Sequence, residues 1–146
     1  MRKNLLKLES VSGGYERTPV VHEITLSISG GNFAGIIGPN GCGKSTLLRL
    51  MTGALTPFFG RVLFDGCDPA SIGRKELCRR IACVSQDIAA GFAFNVKDVV
   101  LMGRMPYLGR FQNETATDIA IVERALEATD TARLCHKTID RLSAGE

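Results

Sequence analysis

Polar and apolar positions change rhythm a little past the middle of the chain. Up to Gln86, short apolar runs at 5–11, 20–28, 33–37, 62–64 and 81–84 are separated by glycine and proline, which predicts strands. Within 20–28, Val20, Ile24, Leu26 and Ile28 fall on even positions and alternate with Thr25 and Ser27, the period of a half-buried strand. Residues 33–37 (Phe-Ala-Gly-Ile-Ile) are apolar throughout, which predicts a central strand covered on both faces. Asp65-Gly66 marks a turn. Beyond Gln86, Ile119, Val122 and Leu126 recur at helical spacing, and Thr115-Ala116-Thr117-Asp118 reads as a capping box with Asp in the fourth place. The spacing predicts a helix over 117–128 and a shorter one over 95–103, ended by Gly103 and Pro106.

Strands first and helices second predict an α/β chain with a strand-rich part (1–88) and a helical part (89–146), without internal repeats or a linker. Of the 146 residues, 45% are hydrophobic and 23% charged, an ordinary globular balance. The net charge of +3 is spread without a basic run, so no nucleic-acid surface is expected. No apolar stretch approaches the roughly 20 residues of a membrane-spanning helix, and Lys7 and Glu9 interrupt the start where a secretory signal would be apolar. The five cysteines include no C-x-x-C pair, which predicts reduced thiols that mostly fill the core. Asn113-Glu114-Thr115 matches a glycosylation acceptor, and without a secretion signal it reads as helix-start chemistry.

The chemistry concentrates in Gly38-Pro39-Asn40-Gly41-Cys42-Gly43-Lys44-Ser45, which fits G-x-x-x-x-G-K-[ST] at every fixed place and is followed by Thr46. The motif lies between the 33–37 run and a helix-like run at 44–51. Glycines there let successive N–H groups turn inward, forming an anion nest at the positive end of a helix. Lys44 is expected to reach the outer phosphates, and the Ser45 hydroxyl to complete the coordination of Mg2+. Cys42, at a helix start beside a lysine, is either a reactive thiol that bound nucleotide protects from alkylation or a loop position tolerant of any small residue.

Leu142-Ser143-Ala144-Gly145-Glu146 resembles the signature motif of ATP-binding cassette ATPases, written LSGGQ or LSGGE, and with Pro39-Asn40-Gly41 upstream the resemblance covers the whole chain. It implies a P-loop ATPase core with an antiparallel β-subdomain and an α-helical subdomain, and ATP with Mg2+ as ligands. Lys44 and Gln86 then take catalytic parts, with Ser45 and Gln86 on the metal. Gly38, Pro39, Asn40, Gly41, Cys42, Gly43, Lys44, Ser45 and Thr46 hold nucleotide in one subunit, while Ser143, Ala144 and Gly145 reach the outer phosphate held by a second. Ala144 departs from the family's glycine by one methyl group. Tyr15 matches the aromatic that stacks on adenine, against the plainer reading of a tyrosine anchoring a turn.

The same resemblance implies a head-to-tail pair of ATPase subunits, transmembrane permease subunits, indirectly a substrate-binding protein, and a place on the cytoplasmic face of the membrane. Phe92, Phe94 and Val96 fall where the family docks its permease and are open between docking and core. The Gly103-Arg104-Met105-Pro106-Tyr107 stretch is similar to importers of iron-siderophore complexes, haem and cobalamin, although Arg104 also reads as a surface charge. No apolar run followed by Asp-Glu occurs within 146 residues, and His22 and His136 precede the signature. The fold is therefore expected to be incomplete in its Walker B half, poorly soluble, with an unpaired edge at 33–37, and not to hydrolyse ATP by itself. Two other readings stay open, a binding-only nucleotide module or decaying gene product, and a soluble non-transport member of the family.

Overall fold

Strand β1 (Asn4–Tyr15) turns directly into β2 (Thr18–Ser29) through Glu16 and Arg17. Both turn residues have positive φ, 48° and 66°, and Tyr15 pairs with Thr18 across them. A two-residue turn of that handedness matches the right-handed twist of the strands it joins. β3 (Phe59–Phe64) pairs with the other edge of β1, giving an antiparallel sheet in the order β2-β1-β3. The computed structural model describes residues 4–84 and 93–143, and the chain divides into two units, Met1–Cys83 and Val84–Glu146.

In the first unit, helix α1 (Lys44–Met51) lays Leu50 and Met51 against Leu8, Val11, Val21 and Val62 of the sheet. Leu8, Val11 and Leu50 are fully buried. The Asp65-Gly66 turn forms, with Phe64 and Cys67 exchanging backbone hydrogen bonds of 2.7 and 2.9 Å. Helix α2 (Arg74–Arg80) follows, with Glu76 paired to Arg80 one turn on at 2.8 Å.

Three strand expectations need correction here. The alternation of β2 holds at Ile24, Leu26 and Ile28, but Val21 rather than Val20 is buried. Glu23 has φ 47°, and its N–H donates to the Ser12 hydroxyl at 2.8 Å, a bulge that advances the strand by one residue and reverses which side chains face in. Residues 33–37 are not a covered central strand: among the described residues they have no ladder partner, and Phe33 and Ile37 are about fully exposed at 103% and 97%. β1, β2 and β3 satisfy one another as an antiparallel sheet, and no described strand lies beside this run. Residues 81–84 likewise join no ladder, and Val84 is exposed.

In the second unit, α3 (Val96–Met102) and α4 (Ala116–Ala128) bury Val96, Val122 and Leu126 with Leu134. The capping box is as the sequence suggests: Thr115 is the N-cap and accepts from the Asp118 N–H, while Asp118 accepts from the Thr115 N–H at 3.0 Å. The start of α3 is satisfied by backbone farther along, with the N–H groups of Val96 and Lys97 donating to the carbonyls of Lys137 and Cys135. Ile139 N–H returns to the Phe94 carbonyl at 3.0 Å, so the segment leading to Ser143 is stitched to α3. Val96 is thus core, whereas Phe94 is partly exposed and Phe92 lies outside the described residues.

Candidate functional site

The phosphate loop leads straight into α1. Cys42 N–H donates to the Pro39 carbonyl at 3.4 Å, and the helix opens with Leu47 N–H on the Gly43 carbonyl at 2.8 Å. Gly43 has φ +92°, and a Cβ there would meet the methyls of Val20 and Val21 at 3.2 Å. Gly38 is constrained differently, since its Cβ would lie 2.7 Å from the Cys42 sulfur. No side chain caps the start of α1, so its first-turn N–H groups are left for an anion.

Lys44 folds back over this loop. Its Nζ donates to the carbonyls of Gly38 at 2.8 Å and Pro39 at 2.7 Å and lies 3.9 Å from the Cys42 sulfur. Ser45 is exposed beside it. Uncapped helix amides, an ammonium and a hydroxyl make a donor set suited to a polyphosphate and, through Ser45, to the hard cation that accompanies it. Thr46 is different, for it is buried.

Tyr15 closes β1 and is half exposed. Its hydroxyl accepts from Arg49 Nη1 at 2.9 Å. The Thr46 hydrogen bond, and secondarily Arg49, hold the phenol below its ordinary range, with desolvation opposing them. Arg49 escaped the sequence reading. Its spacing of three from Thr46, which puts both on one helix face, was the available signal.

The cysteines correct an expectation. Cys42, Cys67, Cys78 and Cys83 are exposed and only Cys135 is half-buried, so they are free thiols but not core filler. Cys78 and Cys83 lie on the wall of an open cavity of about 720 Å3, with Leu50, Val62, Leu77 and Ile81.

Arg104, in the second unit, is no loose surface charge. Its Nε donates to Asp118 Oδ1 at 2.9 Å, and its guanidinium carbon sits 3.9 Å from the Tyr107 ring centre. Asp118 also accepts from the Thr115 hydroxyl at 2.6 Å. Hydrogen bonds from Thr115, then that from Arg104, lower the Asp118 carboxyl to about 2. The Gly-Arg-x-Pro-Tyr stretch is therefore a local clamp across the connection between α3 and α4. Ser143 is described and exposed, whereas Gln86, Ala144 and Gly145 lie outside the described residues.

Residues 21–146 match the ABC transporter family. The chain belongs to that family. Among its curated relatives, the cobalamin import ATP-binding protein of Halobacterium salinarum is 43% identical over 88% of this chain and 32% of its own length. The ferric enterobactin transport ATP-binding protein of Escherichia coli is 36% identical over 97% of this chain and 52% of its own. The hemin import ATP-binding protein of Pseudomonas putida is 42% identical over 87% and 48%. This chain thus spans from a third to about half the length of the relatives it matches. Among solved structures, CbiO1 of Clostridium perfringens, part of the ABC transporter complex cbiONQ, superposes with TM-score 0.72 at 30% identity, covering 98% of this chain and 61% of that one. An ATP-binding cassette of an ABC transporter superposes with TM-score 0.76 at 24% identity, covering 96% and 59%, and shows the shared P-loop ATPase fold. Among the described residues no helix is long and apolar enough to cross a membrane.

Proposed function

We propose that this chain is the nucleotide-binding part of the ATP-binding subunit of an ABC importer, acting as an ATPase in its whole form, with cobalamin, an iron-siderophore complex or haem as cargo. The observation that carries the reading is the phosphate loop itself, an uncapped helix start with Lys44 tied across Gly38 and Pro39. The cargo class rests on the relatives' import functions.

In this reading the ATP phosphates displace the two carbonyls as partners of Lys44, exchanging neutral acceptors for charged ones. The amides of Gly41, Cys42, Gly43, Lys44, Ser45 and Thr46 cradle the inner phosphates, with Gly38, Pro39 and Asn40 shaping the turn. Mg2+, when bound, neutralises phosphate charge, with Ser45 and Gln86 as its protein ligands. Tyr15 stacks on adenine. Ser143, Ala144 and Gly145 of one copy meet the outer phosphate held by Lys44 of another, so nucleotide closes a head-to-tail pair and hydrolysis reopens it. Permease subunits follow that motion at the cytoplasmic face of the membrane. The division of labour is between an ATP-binding core with its β-subdomain (1–88) and a helical subdomain (89–146).

Equilibrium dialysis of the 146-residue chain against MgATP tests the reading. Binding is expected, and Lys44→Ala is expected to weaken it by more than about tenfold, since a charge-assisted contact is lost. Unchanged affinity in that variant would remove the phosphate loop from the function. No phosphate release is expected from these residues alone, which contain no apolar run ending in Asp-Glu.

A further inference from the structure

Tyr15 is the last residue of β1, and Thr46 and Arg49 lie on one face of α1, so one contact point joins the hairpin to the helix of the phosphate loop. Arg49 Nη1 reaches the phenol oxygen at 2.9 Å, while its guanidinium carbon stays 5.9 Å from the ring centre. Where an arginine lies flat on a tyrosine in this same chain, the distance is 3.9 Å, as for Arg104 and Tyr107. At the longer distance, with a nitrogen at the hydroxyl, Arg49 holds the ring chiefly by its oxygen edge. Tyr15 as a residue is 41% exposed, enough to admit a partner.

We infer that Arg49 is a positioning residue for nucleotide recognition: it fixes the Tyr15 ring by its edge to the helix that carries the phosphate nest, so that base platform and nest keep a set spacing. The inference rests on the reading of Tyr15 as the adenine platform proposed above. A held ring loses less rotamer entropy when a base stacks on it than a free one would. Arginine suits the task because its planar fork stays charged and directs its donors. The hydrogen bonds that favour the ionised phenol are consistent with a firm grip at this oxygen.

The chain has two tyrosines and no tryptophan, so in a Tyr107→Phe background its ultraviolet emission reports Tyr15 alone. Titration with ATP and with inorganic tripolyphosphate, both with Mg2+, separates base from phosphate recognition. ATP is expected to change the Tyr15 emission and tripolyphosphate to leave it largely unchanged. Arg49→Ala is expected to weaken ATP about threefold, the scale of one hydrogen bond, and to leave tripolyphosphate unchanged, which also shows that the nest is folded. Tyr15→Phe, measured by dialysis, is expected to cost the same factor, with Arg49→Ala adding nothing on top of it. If Tyr15→Ala weakens ATP about tenfold or more but Arg49→Ala does not weaken it, the positioning role is overturned while the platform stands. Equal weakening of both ligands by Arg49→Ala overturns it too, as a phosphate contact or a folding defect. If Tyr15→Ala leaves ATP and tripolyphosphate in their original ratio, the platform reading falls and the inference with it.

Discussion

The two arginine–tyrosine pairs of this chain are built from the same side chains and put to opposite uses. Arg104 covers the Tyr107 ring and bonds a buried carboxylate, with its side chain only 17% exposed and that of Asp118 8%. Arg49 bonds the Tyr15 hydroxyl and keeps its guanidinium carbon 5.9 Å from the ring centre, on an exposed helix surface, with no carboxylate partner among the described residues. In the first pair the cation is spent on holding the connection between α3 and α4. In the second the guanidinium holds the phenol oxygen and no carboxylate. What separates the two pairs is where the guanidinium meets the ring, at the phenol oxygen in one and over the ring centre in the other.

That contrast is sharpest in stability. Arg104→Ala would leave Asp118 without its cation, held by Thr115 alone, and is expected to lower the melting temperature clearly, whereas Arg49→Ala should leave it close to that of the parent chain. Thermal denaturation followed by circular dichroism measures both, and equal losses would collapse the distinction. Acid separates the pairs next. The Asp118 carboxyl is lowered from its ordinary value to about 2, so its ionised form contributes stability that is full above about pH 4 and is lost as pH falls toward 2. The helical unit should therefore weaken over that window, and Asp118→Asn, already less stable at neutral pH, should show a flatter dependence there. A parent and variant with parallel acid curves would deny the carboxylate this role. The smallest effect concerns the first unit's loop. Cys42, exposed and 3.9 Å from the Lys44 ammonium, should be alkylated readily, and MgATP should slow that reaction several-fold. Identical alkylation rates with and without nucleotide would count against occupation of the nest.

Features set by neighbours in sequence were legible from the sequence. The Thr115–Asp118 box, the stop at Gly103 and the Asp65-Gly66 turn each depend on a few adjacent residues, and each is where its residues imply. The phosphate loop is local in the same sense. What escaped depends on partners far along the chain. The phase of β2 reverses because Ser12, eleven residues away, bonds the Glu23 amide. Arg49 acquires its contact from Tyr15, thirty-four residues distant. Arg104 was ambiguous because a guanidinium in a sequence looks the same whether it meets water or Asp118. The run 33–37 shows a further gap, since an apolar composition states what a strand prefers to touch and not whether a partner lies beside it.

The tight turn at Glu16 and Arg17 also bears on the order of assembly. A hairpin closed by two residues needs little loop entropy to form, and such hairpins zip in roughly 1–10 μs. Tyr15 and Thr18 are the first pair beyond that turn. The backbone beneath the ring can thus be in place before α1 arrives with Thr46 and Arg49, so that the hairpin acts as the template and the helix docks onto it.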